Sequence, residues 1–160
     1  MTAAAQEGFF TTEQAAEAGY SPQLLAHHVK GGTVQRVRRG IYRITHYPAA
    51  EHEGLVIAWL WSERAGVVSH ETALALHGLS DALPRQIHLA LPSAWRKRRF
   101  RSPAGVRLHH ADIGAEERAW MGPVPTTGPA RTLNDCALAS LSPELLQQAA
   151  RQALRRGIAR

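Results

Sequence analysis

Residues 8–44 read GFFTTEQAAEAGYSPQLLAHHVKGGTVQRVRRGIYRI, from Gly8 to Ile44. Two helix start signals lie ten residues apart in this stretch. Thr11 opens the first as a capping box, its hydroxyl accepting from the Gln14 amide while the Gln14 side chain reaches back. The helix Thr12 to Ala18 carries small inward residues, Ala15, Ala16 and Ala18, which permit close packing, and Gly19 ends it with an expected positive φ. Ser21-Pro22 is the second start, a good N-cap followed by a proline whose missing N–H has no partner in the first turn. Helical periodicity to Lys30 places Leu24, Leu25, His28 and Val29 inward and Gln23, Ala26, His27 and Lys30 outward. Gly31-Gly32 stops that helix. Val34 to Val37 and Ile41 to Ile44 are β-prone, and Arg38-Arg39-Gly40 between them suits a tight hairpin. The pattern is a helix-turn-helix followed by a basic wing.

Outward from this stretch, Ala3 to Glu7 fits one helical turn closed by Gly8, and Phe9-Phe10 is extended in character. Thr45 to Ala50, with Pro48, reads as a linker. His52 to Arg64 is apolar nearly all round and marks a buried helix. Ser69 caps a short helix through His77. Gln86 to Leu91 alternates as a strand, with Ile87, Leu89 and Leu91 on one face, and Val106 to His110 is its return. Val124 to Thr126 is a third strand candidate. Pro129 to Ala139 is a helix, and Ser142-Pro143 starts the last one, which buries Leu146, Ala150, Ala153 and Leu154. The predicted fold class is α+β. Residues 1–47 form a winged helix-turn-helix domain, and residues 48–160 form a small mixed α/β domain with a short sheet and several helices.

Composition narrows the class. The chain has 160 residues, 44% of them hydrophobic and 20% charged, as in ordinary globular chains. Its single cysteine, Cys136, excludes an internal disulfide and makes the cytoplasm the expected compartment. No secretory signal opens it, and the apolar run Leu55 to Trp61 is too short to cross a bilayer. The net charge is +6, and seventeen of the nineteen basic residues are arginine, Lys30 and Lys97 being the exceptions. That balance favours a polyanion, and arginine favours forked contacts to phosphate or guanine.

A short helix fits the major groove, where its N-terminal residues meet base edges. Gln23 sits in the first turn, and a glutamine amide can pair with N6 and N7 of adenine. His27 follows one turn later and Lys30 nearly another turn on, near the backbone. The helix N-terminus at Ser21 favours a phosphate through its free amides. Arg36, Arg38, Arg39 and Arg43 of the hairpin would grip phosphate or enter the minor groove. A second basic run, Trp95 to Arg101, offers Arg96, Lys97, Arg98 and Arg99 as further phosphate contacts, with Trp95 or Phe100 available for stacking. Read blandly, it is a solvated loop. Arg151, Arg155, Arg156 and Arg160 form a weaker basic face.

Several short motifs carry a family resemblance. They are Gly19-Tyr20-Ser21 into Leu24-Leu25, then Gly32, Val34, Arg36-Val37 and Arg39-Gly40-Ile41-Tyr42. Further on come Val68-Ser69-His70-Glu71-Thr72-Ala73-Leu74, His77-Gly78-Leu79, Ile87-His88-Leu89, Val124-Pro125-Thr126-Thr127 and Arg131-Thr132-Leu133-Asn134-Asp135. In this order they resemble the winged helix and C-terminal region of AbiEi-type antitoxins. The resemblance implies a DNA-binding repressor that acts on its own promoter in a type IV toxin–antitoxin operon. It also implies a nucleotidyltransferase-like toxin as functional partner, without expected direct contact. The first helix is shorter here than in such relatives. Larger relatives continue into a nuclease-like domain, which is not expected here.

Other chemistries are weighed against this one. Nine histidines invite a metal reading, with His27-His28, His70 and His77, and His109-His110 with Asp112 as candidates. Adjacent strand histidines face opposite ways, and His70 and His77 are about 10 Å apart along a helix, too far for one zinc ion. No metal site and no cofactor are expected. No GxSxG, phosphate loop or nuclease run occurs, so the chain is not expected to be an enzyme. Arg131 and Asp135 read as an intrahelical pair. The alternatives to a repressor are a non-catalytic module that binds a toxin protein, and an RNA-binding module.

Overall fold

The computed structural model describes residues 2–81 and 84–157. The chain divides into two compact units, Met1–Arg64 and Ala65–Arg160. The fold is mixed α+β, as the sequence predicts.

The first unit runs α1 (Thr2–Ala5), β1 (Phe9–Thr11), α2 (Thr12–Glu17), α3 (Pro22–Lys30), β2 (Val34–Arg38), β3 (Ile41–Ile44) and α4 (Glu53–Trp61). Its three strands form an antiparallel sheet in the order β1-β3-β2, with Phe9 opposite Arg43 and Val34 opposite Ile44. The capping box forms as expected: Gln14 N donates to Thr11 Oγ1 and Thr11 N to Gln14 Oε1, each at 3.0 Å. Gln14 also has a partner outside its helix. Its amide and that of Gln6 exchange hydrogen bonds of 2.8 and 3.0 Å, and Gln6 Nε2 donates to the Phe9 carbonyl at 3.0 Å. Both glutamines are buried, and their polar atoms are paired, which avoids the penalty of burying them unsatisfied. This clamp ties the short α1 to β1 and α2. Gly8 takes φ +88°, and a Cβ there would lie 2.6 Å from the Tyr47 ring, so close approach as well as conformation requires glycine.

From sequence, the helix after residue 48 is expected to belong to the second domain, residues 48–160. The contacts put α4 in the first unit instead. His52 N donates to Glu7 Oε1 at 3.1 Å, and Glu53 lies 3.7 Å from Arg43. Val56, Ala58, Trp59 and Leu60 are buried together with Phe9, Ala15, Leu25 and Ile41 of the same unit. The physical reason is area: six short elements leave one face of β1 and β3 uncovered, and the apolar α4 covers it.

The second unit runs β4 (Val67–Val68), α5 (His70–Leu76), β5 (Ile87–Leu91), β6 (Val106–His110), β7 (Arg118–Met121), β8 (Val124–Thr127), α6 (Pro129–Leu138) and α7 (Pro143–Arg156). Short 3-10 turns occupy Ser93–Lys97 and Ala115–Glu117. The five-stranded sheet has the order β6-β5-β4-β8-β7. The expected return strand at Val106 to His110 pairs parallel to β5, Ile87 opposite Val106 and Leu91 opposite His110. Residues 92–105 are long enough for the crossover that a parallel pair needs. β4 is also parallel to β8, Val68 opposite Thr126. The two-residue β4 and the exposed β7 carry too little periodicity to be read from sequence.

Leu74, Leu79, Cys136, Ala149 and Ala153 form the buried cluster of α5, α6 and α7, flanked by Leu133, Leu141 and Leu146. Leu154, expected inside, is 62% exposed, and Ala149 takes the buried position instead. The buried face of α7 is thus centred on Ala149 and Ala153. Arg156 closes the C-terminus of α5, donating to the carbonyls of His77 at 2.7 Å and Gly78 at 2.9 Å. Arg160 lies outside the described residues.

Candidate nucleic-acid interface and a histidine cluster

Helix α3 is held from both ends. Ser21 Oγ accepts from Leu24 N at 3.1 Å, with Pro22 in the first turn. Leu25 anchors it in the core at 4% exposure. Ser21, Gln23, Ala26, His27 and Lys30 are exposed, so the expected outer face is open to solvent. Leu24, expected inward, is 40% exposed and belongs to that open surface. The loop to β2 is fixed by Thr33, whose hydroxyl donates to the His28 carbonyl and lies 3.2 Å from His28 Nδ1.

The wing is β2, its turn and β3. Its register shifts between Arg36 and Arg38, a bulge that bends the hairpin. Gly40 takes φ +78° at the tip, and its carbonyl accepts from Thr12 N at 3.0 Å, which ties the tip to the start of α2. Arg36 and Arg39 are exposed and Arg38 is half-buried. Arg43 differs from the other three. Its guanidinium donates to the carbonyls of Thr45 at 3.2 Å and Tyr47 at 2.7 Å, lies 3.7 Å from Glu53 and stands over the Phe9 ring at 5.9 Å. It braces the hairpin from within. Sequence alone cannot separate it from its neighbours, because its acidic partner lies in α4.

In the second unit the basic run is partly self-engaged. Arg98 stacks on Trp95, with its guanidinium carbon 3.8 Å from the ring centroid, and Phe100 meets Trp95 edge-on at 6.4 Å. Arg96 reaches the His110 carbonyl at 3.4 Å. Arg96, Lys97, Arg98 and Arg99 are all exposed. Asp112 accepts from Ser93 N at 3.0 Å and Ser93 Oγ at 2.6 Å, bonds that hold its carboxyl below the usual range. It therefore anchors the 3-10 turn and does not turn toward His109 or His110.

The histidines that do converge are a set the sequence reading did not pair: His70, His88 and His109. They come from the start of α5, from β5 and from β6. The His70 and His109 rings stack at 3.7 Å, and His88 Nδ1 lies 2.9 Å from His109 Nε2. Parallel pairing of β5 with β6 causes this, since it sets His88 and His109 near each other on adjacent strands. Thr72 pins α5 to β5, accepting from His88 N at 2.9 Å and donating to the Gln86 carbonyl at 3.2 Å. Burial lowers the His70 pKa to about 4, helped by His88, Arg131 and Arg107. Burial likewise lowers His109 to about 4, with His70, His88 and Arg107 adding to it. The cluster lines a cavity of about 100 Å³ together with Glu71, Arg107 and Cys136. Nearby, Arg131 donates to Asp135 at 2.9 Å, the expected intrahelical pair, and also reaches Glu117 at 3.2 Å.

Two helices joined by a glycine turn, followed by a two-stranded wing, define the first unit as a winged helix-turn-helix module. Residues 1–45 match a family described as transcriptional regulator, AbiEi antitoxin. Over the longer chain, the fold is similar to that of the RV2827C protein from Mycobacterium tuberculosis, known from a crystal structure. The TM-score is 0.54 at 18% identity, over 84% of this chain and 57% of that one. That likeness concerns the fold, and the chain spans little more than half of that protein's length. No curated protein sequence matches. Among the described residues, no helix is long and apolar enough to cross a membrane.

Proposed function

We propose that the chain is a DNA-binding transcriptional repressor, the antitoxin of a type IV toxin–antitoxin operon, acting on its own promoter in the cytoplasm. The observation that carries this reading is the outer face of α3. Gln23, His27 and Lys30 stand exposed on one side of a capped helix whose other side is anchored by Leu25, inside a domain of regulator type. Gln23 and His27 read bases. Lys30, Arg36, Arg38 and Arg39 contact phosphate or the minor groove, and Ser21 with the α3 N-terminus takes a phosphate. Arg96, Lys97, Arg98 and Arg99 add backbone contacts from the second unit. Repression follows from occupying the promoter. The paired toxin is a nucleotidyltransferase-like enzyme that this chain does not need to touch, and no catalytic step is assigned to this chain.

Competition binding across a salt series tests the reading. A repressor loses affinity steeply with salt yet keeps a large preference for the promoter upstream of its own gene. Equal binding to promoter and random duplex at physiological salt overturns it. A structured RNA winning the competition favours an RNA-binding module, and a stable complex with the neighbouring gene product favours a toxin-binding one.

A further inference from the structure

We propose that His70, His88 and His109 form a binding site for one divalent transition-metal ion of the zinc class, with an open fourth position in the adjoining cavity. One ring nitrogen from each histidine lies within 4.8 Å of the other two. A tetrahedral ion with Zn–N bonds of about 2.0–2.1 Å holds such nitrogens roughly 3.4 Å apart. The 2.9 Å separation of His88 Nδ1 and His109 Nε2 is already close to this, and small ring rotations complete the set. On binding, the hydrogen bond between those two rings is replaced by two metal bonds, and its proton moves to the outer nitrogen of the ring that held it. All three imidazoles then bind as neutral ligands.

Three further features favour an ion over simple packing of rings. His70 Nδ1 lies 2.8 Å from Ser69 Oγ, an outer partner of the kind that orients a metal-bound imidazole. Ser69 reads as a helix cap, yet its side chain makes no capping bond and is directed to His70 instead. His70 itself has φ +53°, a left-handed conformation that is strained for a non-glycine residue and concentrates at functional sites. Glu71 is among the residues that line the cavity, and its negative charge, which acts on His88, offsets the charge of an ion beside Arg107. Imidazole donors select zinc, copper, nickel or cobalt over magnesium or calcium, which take oxygen. Cys136 lines the cavity, but its sulfur is not among the converging donors, and burial pushes its thiol up to about 12. The fourth position is therefore left to water or an added ligand, and the ion links α5 to β5 and β6.

The test uses the full chain without an affinity tag, stripped with chelator and titrated with Zn²⁺ by calorimetry. The expected result is one ion per chain and a rise in Tm. His109→Gln should weaken binding by about 100-fold or more, given that losing even an outer partner costs 10–100-fold. His46→Gln, on the exposed surface of the first unit, should bind as wild type does. In parallel, imidazole nitrogen NMR of the wild-type chain should show sub-stoichiometric Zn²⁺ shifting His70, His88 and His109 and sparing His46. That spectrum decides the matter if His109→Gln fails to fold. Absence of stoichiometric uptake, unchanged affinity in folded His109→Gln, or shifts confined to other histidines would each overturn the site.

Discussion

Single side chains separate gripping from bracing within the wing. Arg39 is exposed at the hairpin tip, and Arg43 is enclosed by two carbonyls and Glu53. Arg39→Ala should weaken binding to all duplexes about evenly and lower the salt slope by roughly one, read from a salt titration. Arg43→Ala should leave that slope unchanged and cost about 1–3 kcal/mol of stability, read by denaturant melts, because partly buried acceptors lose a charged donor. Gln23→Ala should cost ~1–3 kcal/mol at the promoter and relax choice at one base position. A uniform loss across sequences would refute its role as a base reader. Cys136 is buried, and its pKa of about 12 keeps it protonated. Alkylation at pH 8 should stay slow until the second unit unfolds.

Elements of the fold are joined by a few polar clamps that their own sequences only half reveal. The Thr11–Gln14 capping box is legible because its partners lie three residues apart at one helix end. Its second use is not, because Gln6 meets Gln14 only when α1 folds back. Gln14→Ala should therefore cost more than an ordinary cap, about 2–3 kcal/mol, since it also strands the buried Gln6 amide. The same limit applies to α5, where Ser69 looks like a cap and instead serves His70. The metal-free cluster has a pH consequence. Unfolding frees His70 and His109 to titrate near 6.5, whereas in the folded unit they take up protons only near 4. Between these values the unfolded chain binds more protons, so stability of the metal-free protein should fall as pH drops from about 6.5 to about 4. A melt series in chelator measures it, and a flat profile would contradict the burial of neutral rings.

For the whole molecule, the position of α4 sets where an independent winged helix ends. A fragment of residues 1–64 should unfold cooperatively, whereas residues 1–47 should not, because removing α4 uncovers Phe9 and Ile41 and strips Arg43 of Glu53. Proton NMR dispersion of the two fragments distinguishes them. The sequence by itself determined the helix-turn-helix, the glycine stops, the basic hairpin and the α+β class. Those depend on spacing and on caps within a few residues, which chain order preserves. The tertiary structure alone decided that α4 belongs to the first unit, that β5 and β6 run parallel, that Arg43 turns inward and that His70, His88 and His109 meet. Each of these rests on residues far apart in the chain, and whether such groups touch depends on strand pairing and buried area, which no local pattern encodes.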